Sequence, residues 1–135
     1  MTSTPDLDRP LSAFMRAVGL VLDNIQSTHV TGRIDLGARH HQPWGLIHGG
    51  VYTTAIETAA SAGASTAAQE HGLVAVGINN NTNFVRSMTE GRVTVDARAI
   101  QQGRTQQLWE VRVTDDRDRL IATGQVRLQN ITPRA

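Results

Sequence analysis

The chain of 135 residues carries 13 basic and 12 acidic side chains, a formal net charge of +1 and five aromatic residues, which gives no electrostatic or stacking case for a nucleic-acid partner. It contains no cysteine, which excludes a disulfide framework, a thiolate zinc site and a cysteine nucleophile. Every basic residue is arginine, so lysine Schiff-base and P-loop lysine chemistry are excluded as well.

The chain shows no repeat, low-complexity tract or linker. We therefore predict a single domain over residues 1–135, with loose ends at 1–9 and 132–135. The N-terminal residues lack an apolar signal region, and no run of about 18 or more apolar residues occurs. These patterns predict a cytoplasmic protein with no membrane partner.

The first predicted element is a short amphipathic helix with Pro10 in its first turn and Gly19 at its end. Residues 20–36 are predicted to be extended, with Gly32 at a turn or a bulge. A long helix is predicted over Gly49–Gln69, because small and apolar residues recur there at i, i+3 and i+4 spacing without any proline. Its many alanines and glycines allow other elements to approach closely.

Four segments with strand-like alternation of apolar and polar residues follow this helix. They begin near Val74, Arg92, Trp109 and Leu120, with turn signals at Gly91, at Gly103 and over residues 115–118. The order of one or two strands, one long helix and four consecutive strands predicts an α+β fold. In that fold a largely antiparallel sheet of five to six strands wraps one long central helix.

The densest polar cluster lies immediately before the long helix, where residues 40–50 read HHQPWGLIHGG. Gly49 and Gly50 allow a ligand to approach the backbone, and the helix N-terminus presents unpaired amide donors and the positive end of the helix dipole. Such donors suit a developing oxyanion. The alternative interpretation is a glycine-rich turn with His48 as the helix N-cap.

Glu57 is the only acidic residue between Asp35 and Glu70, and it lies on a helix that is predicted to be buried. A buried carboxylate is unfavourable unless it is used or paired. Thr53 and Ser61 lie four residues away on either side, so hydroxyl groups flank Glu57. We infer a candidate catalytic carboxylate; the alternative is a structural Glu that bonds to those hydroxyls or to an arginine.

The spacing between Gly49 and Glu57 sets a condition on any site that uses both. They are separated by about 12 Å along the helix axis, so one chain cannot place both around one carbonyl. A second subunit must bring its Glu57 alongside through a two-fold antiparallel pairing of helices. The hypothesis therefore predicts a homodimer with two shared sites.

Neither a metal nor another cofactor is predicted. His40, His41 and His48 do not make a convincing metal set, because adjacent histidines of an extended chain point in different directions and no Asp or Glu lies nearby. The asparagine-rich run 79–83 either satisfies backbone groups at a strand end or lines a ligand pocket. Arginines near strand ends, at Arg86 and beside Gly103, either hold phosphates or are solvated.

The motif QPWGLIHGG at residues 42–50, with Glu57 nine residues after His48, resembles the hotdog-fold acyl-CoA thioesterases of the phenylacetate-degradation type. The resemblance covers about residues 19–131 and includes Arg86-Ser87 and Gly103-Arg104-Thr105. The lead-in to His48 is most similar to the branch that acts on 1,4-dihydroxy-2-naphthoyl-CoA in menaquinone synthesis or on aryl-CoA in siderophore proofreading. Phe84 departs from the naphthoyl-CoA branch, which often has histidine there, so the acyl group stays open.

The resemblance implies hydrolysis of an aromatic acyl-CoA to the free acid and CoA, by homodimers that pair into tetramers. Gln42 and the Gly49 amide would polarise the thioester carbonyl, and His48 would hold the loop. The partner's Glu57 would attack the carbonyl or activate a water positioned by Ser61. Segments that approach CoA in relatives correspond to Arg86, Gly103, Arg104 and Thr105. Two alternatives stay open: a non-catalytic acyl-CoA-binding hotdog module, and a hotdog enoyl-CoA hydratase or dehydratase.

Overall fold

The structure is a computed structural model that describes residues 9–134, so most of the predicted loose N-terminus lies outside the described residues. Within that range six strands form one antiparallel sheet in the order β1-β2-β4-β5-β6-β3. The elements are α1 (Ala13–Val18), β1 (Val21–Ile25), β2 (His29–Leu36), a 3₁₀ turn (Ala38–His40), α2 (Gly49–Gln69), β3 (Val74–Phe84), β4 (Gly91–Gln102), β5 (Gln106–Asp115) and β6 (Leu120–Ile131). The predicted wrapped-helix fold is confirmed.

Helix α2 has the predicted bounds and contacts all six strands. Its sheet-facing side is made of small residues and Ile56, which are buried. At Gly63 the indole ring of Trp109 lies so close that a Cβ atom would sit 2.2 Å from it. Because Trp109 is itself fully buried, only glycine allows this contact. The alanines and glycines of the sequence thus let the sheet close around the helix.

One boundary near the N-terminus differs from the prediction. Helix α1 begins after Ser12, whose hydroxyl accepts a hydrogen bond from the Met15 amide, so Pro10 precedes the helix. Its predicted end at Gly19 is confirmed, with φ 75°. Gly32 lies inside β2, opposite a register shift in β1, which agrees with the predicted bulge rather than with a turn. A Cβ atom there would come 2.7 Å from the Val21 carbonyl oxygen, so glycine accommodates the irregular neighbour.

Strand β3 is an edge of the sheet, because it pairs only with β6. Its apolar side chains Val76, Ile78 and Phe84 are exposed, Ile78 by 52%. An edge strand leaves backbone N–H and C=O groups unpaired along its free side. The edge of β3 is therefore suited to pairing with another strand. No helix among residues 9–134 is long and apolar enough to cross a membrane.

Candidate active site

The loop before α2 is held by its own backbone, which fixes the side chain of Gln42. The Gln42 amide donates to the Leu46 carbonyl at 2.8 Å, and Gly45, with φ 82°, donates back to the Gln42 carbonyl at 3.0 Å. The side-chain oxygen Oε1 of Gln42 accepts from the amides of Trp44 and Leu46. Since Oε1 faces these donors, the Nε2 group remains as a hydrogen-bond donor for a ligand.

His48 is the N-cap of α2, as one interpretation of the sequence predicted. Its Nδ1 accepts from the Gly50 amide at 2.8 Å, and its carbonyl accepts from the Val51 amide at 3.0 Å. No group among residues 9–134 accepts from the amide of Gly49. The cap therefore satisfies the next two amides of the helix and leaves the Gly49 N–H as a donor at its start.

These donors border a cleft of about 500 Å³. Its walls are the loop that contains Gln42, the first turn of α2, and residues 84–87 at the end of β3. Leu46, Phe84 and Val85 supply exposed apolar surface, and Arg86 is the only arginine, aspartate or glutamate that lines the cleft. An apolar cleft with a few convergent polar groups is the usual form of a small-molecule site.

Phe84 and Tyr52 form an aromatic pair beside this cleft, with ring centroids 6.4 Å apart. The Phe84 ring lies against the start of α2, where a Cβ atom on Gly49 would be 2.8 Å from it. The Tyr52 hydroxyl is buried without a hydrogen-bond partner among residues 9–134. Burial raises the pKa of Tyr52 to about 12, so its hydroxyl is neutral at physiological pH.

Glu57 lies two turns further along α2 and is half-buried, not fully buried as the sequence predicted. Its Oε1 accepts from Asn80 Nδ2 at 3.1 Å, and Ser61 Oγ is 3.4 Å from its Oε2. The Thr53 hydroxyl does not reach it and donates instead to the Gly49 carbonyl. Among residues 9–134 no arginine forms an ion pair with Glu57, so the arginine form of the structural alternative is wrong for the described residues, whereas the contact with a flanking hydroxyl is present at Ser61.

Gly77 of β3 makes the space for the Glu57 carboxylate. A Cβ atom on Gly77 would lie 2.3 Å from Oε2 of Glu57. Glu57 does not line the cleft of Gln42 and Gly49, and the two regions are separated by about 12 Å along the helix. Within one subunit the two halves of the predicted site do not meet, which agrees with the condition set by their spacing.

The candidate CoA-binding residues lie at opposite ends of the sheet within one subunit. The Arg86 amide donates to the carbonyl of Ile121 at one end of β6, whereas the Thr105 carbonyl accepts from Asn130 at the other. Nine residues of extended chain span about 30 Å. Gly103 and Thr105 border a separate pocket of about 180 Å³, next to Arg104 in the turn between β4 and β5.

The three histidines of the polar cluster bond to backbone groups. His40 is buried: its Nδ1 accepts from the Gly37 amide and its Nε2 donates to the Val18 carbonyl. His41 Nε2 contacts the Thr89 carbonyl at 2.7 Å. Residues 9–134 contain no group of three His, Cys, Asp or Glu residues placed to hold a metal ion.

Sequence reasoning missed two contacts of the site, those of Gly77 and Asn80 with Glu57. The asparagine run forms the last part of β3, and Asn80 satisfies a backbone group, the Thr53 carbonyl, in addition to its bond to Glu57. A glycine and an asparagine inside an alternating strand pattern were the available signals, because both weaken a strand and need a reason to be there. Tyr52, the single tyrosine of the chain, was also not singled out.

Comparison with known proteins places the chain in a family. The thioesterase superfamily model matches residues 45–122. Rv1847 of Mycobacterium tuberculosis, named as an esterase, is 41% identical over 99% of both chains. Its solved structure has a TM-score of 0.87 and covers 92% of this chain and 100% of its own.

Two further relatives carry more specific names. The 1,4-dihydroxy-2-naphthoyl-CoA hydrolase of Listeria monocytogenes is 32% identical over 77% of this chain and 84% of its own. The proofreading thioesterase EntH of Klebsiella pneumoniae is 31% identical over 78% of this chain and 77% of its own. The chain belongs to the thioesterase superfamily, has the hotdog fold and is a hydrolase of the thioesterase type. The resemblance seen in the sequence is confirmed at the level of family and fold.

Proposed function

We propose that this protein hydrolyses an acyl-CoA thioester with an aromatic acyl group, releasing the free acid and CoA. The observation that carries the proposal is the pair of free donors at one apolar cleft, Gln42 Nε2 and the Gly49 N–H. Two donors that meet one oxygen stabilise the charge that develops there during acyl transfer. Both are fixed before a substrate binds, so little reorganisation is needed in the transition state.

In the proposed mechanism the thioester carbonyl oxygen accepts hydrogen bonds from Gln42 Nε2 and the Gly49 amide. The carboxylate of the partner's Glu57 then either attacks the carbonyl carbon or removes a proton from an attacking water, which Ser61 positions. In both cases the carbon–sulfur bond breaks and the sulfur leaves as thiolate. Thiols have pKa values of about 8–9, so this leaving group needs no strong acid. Attack by water gives the free acid directly, whereas attack by Glu57 leaves a mixed anhydride, which a water molecule then hydrolyses to the free acid and the Glu57 carboxylate.

The second subunit is part of the proposal, and the edge position of β3 supports it. A two-fold pairing of β3 edges would bury the exposed Val76 and Ile78 and run two α2 helices antiparallel. Such a pairing brings Glu57 of one subunit toward the first turn of the other helix. Dimers that associate further would let Arg86 and residues 103–105 contact one CoA from different subunits.

The apolar cleft supports an aromatic acyl group. Phe84 lines the cleft and is exposed by 58%, and an aromatic side chain packs well against a planar aromatic substituent. The relative named for 1,4-dihydroxy-2-naphthoyl-CoA agrees with this substrate class. The cytoplasmic location and the absence of nucleic-acid and membrane partners stay predictions.

Hydrolysis of a panel of acyl-CoA thioesters, with released thiol as the readout, tests the function. We expect kcat/KM for benzoyl-CoA to exceed that for acetyl-CoA and hexanoyl-CoA by at least about tenfold. Tight binding without thiol release would indicate a binding module. Water addition to an enoyl-CoA without thiol release would indicate a hydratase. Either result would overturn the proposed hydrolysis.

A further inference from the structure

Strand β3 contains one extra residue, which decides which side chains meet α2. Gly77 pairs with Leu128 and Asn79 pairs with Arg127, so Ile78 has no partner on β6. Side chains alternate along a strand, and one unpaired residue therefore moves every later side chain to the other face. The bulge at Ile78 shifts the alternation of the asparagine run.

After the bulge, Asn80 and Thr82 face the helix. They lie opposite Val126 and Gly124, which are buried on the helix-covered face of β6. Directly opposed residues of an antiparallel pair point to the same face. Asn80 and Thr82 are partly buried, whereas Asn79, Asn81 and Asn83 are exposed.

The two side chains form a chain of hydrogen bonds that ends on the Glu57 carboxylate. Thr82 Oγ1 donates to Asn80 Oδ1 at 2.7 Å. Asn80 Nδ2 donates to Glu57 Oε1 at 3.1 Å and to the Thr53 carbonyl at 3.2 Å. The Thr53 carbonyl and the Glu57 carboxylate can only accept, so they face Nδ2, and the Thr82 hydroxyl anchors the amide from its other end by donating to Oδ1.

Two glycines provide the space for this arrangement. A Cβ atom on Gly77 would lie 2.3 Å from Glu57 Oε2, and one on Gly124 would lie 2.8 Å from Thr82 Oγ1. Larger residues at these positions would displace the carboxylate at one end of the chain and the hydroxyl at the other. Glycine at these two positions thus leaves room for the Glu57 carboxylate, the Asn80 amide and the Thr82 hydroxyl in one hydrogen-bonded chain.

An amide donor suits a carboxylate that must remain reactive. Asn80 is neutral, so it orients Glu57 without pairing its negative charge, which an arginine in the same place would do. The bond occupies Oε1, while among residues 9–134 Oε2 has only the 3.4 Å contact from Ser61. Oε2 is therefore the carboxylate oxygen with the weaker hydrogen bonding.

We propose that Asn80 and Thr82 are positioning residues, which hold the Glu57 carboxylate by Oε1 and leave Oε2 for the reaction. This inference rests on the proposed function, in which Glu57 is the catalytic carboxylate. Thr82 acts only through Asn80. The two residues therefore affect turnover as one unit rather than independently.

Steady-state hydrolysis of benzoyl-CoA by the full-length protein tests this coupling. Asn80→Ala should lower kcat about tenfold while KM changes less than about twofold, because a hydrogen bond to a charged group is lost but no substrate contact. Thr82→Val, which keeps the shape and removes the hydroxyl, should lower kcat about threefold. Thr82→Ser should restore wild-type turnover.

The double variant Asn80→Ala/Thr82→Val should be no slower than Asn80→Ala alone. Asn79→Ala is the matched control, since this asparagine is exposed on the other face of β3, and its kcat should be unchanged. Independent losses that multiply in the double variant, or a Thr82→Ser protein as slow as Thr82→Val, would overturn the proposal. Thermal unfolding of each variant separates these effects from loss of fold.

A second readout does not require hydrolysis. The side-chain amide protons of Asn80, observed by nitrogen-15 NMR, should be protected from exchange in the wild type and in Thr82→Ser. That protection should be lost in Thr82→Val and in Glu57→Ala. If the wild type hydrolyses no thioester but the protection follows this pattern, the proposed function fails while the contact stands. Protection that is insensitive to Thr82 and Glu57 overturns the positioning chain itself.

Discussion

The first turn of α2 and the turn that carries Glu57 are both partly exposed, but they differ in whether their polar groups have hydrogen-bond partners. At the first turn, His48 caps two amides and leaves the donor of Gly49 free beside the free Nε2 of Gln42. At Glu57, strand β3 supplies a donor to the carboxylate. Free donors suit a charge that appears only in the transition state, whereas a permanent carboxylate needs support from the start.

Removing the Glu57 carboxylate should have the largest effect on turnover. Glu57→Ala or Glu57→Gln should leave a folded oligomer and lower kcat by at least about a hundredfold, the scale of losing a positioned base, and by more if Glu57 is the nucleophile. Released thiol gives kcat, and size-exclusion chromatography checks the assembly. Near-normal turnover by a folded Glu57→Ala protein would remove Glu57 from the mechanism.

Removing the side-chain donor of Gln42, beside the first turn of α2, should lower turnover somewhat less. Gln42→Ala should lower kcat more than it raises KM, with a loss of about 2–4 kcal/mol of transition-state stabilisation, because this donor acts on the developing oxyanion. Glu57 is unchanged in this variant, so the two ends are tested separately. An effect confined to KM would reassign Gln42 to binding of the ground state.

Mixing the Gln42→Ala and Glu57→Ala proteins tests whether the Gln42 and Glu57 of one active site come from different subunits. In a dimer of one Gln42→Ala chain and one Glu57→Ala chain, one shared site receives both defects and the other receives neither. Random exchange makes about half of the dimers mixed, so activity should recover to about a quarter of wild type. Mass spectrometry verifies the exchange. Exchange without recovery would mean that both residues act from one chain.

The smallest expected effect concerns the exclusion of water from the Tyr52 hydroxyl in the first turn of α2. Tyr52 is the only tyrosine in the chain, so tyrosinate absorbance reports its ionisation directly. The midpoint should lie near pH 12 in the folded protein, because burial disfavours the phenolate. The folded state then holds its proton more tightly than the unfolded state, and stability should fall as pH rises from about 10 to about 12. A midpoint near 10 in folded protein would mean that water reaches the hydroxyl.

The local parts of this site were predictable because they depend on neighbours in sequence. The bounds of α2 follow from periodicity, small residues and the absence of proline, and the N-cap follows from the position of His48 before two glycines. The 12 Å between Gly49 and Glu57 is a property of any helix. The hypothesis of a site shared between two subunits therefore follows from this spacing alone.

The tertiary structure decided which side chains meet. The unpaired Ile78 exists only because β6 pairs unevenly with β3, and it turns Asn80 rather than its neighbours toward Glu57. The orientation of the Gln42 amide likewise depends on how its loop folds back. A sequence reveals its own periodicity. The faces to which the side chains of β3 point are set by its pairing with β6, a segment that begins more than 30 residues later, and that pairing depends on packing in three dimensions.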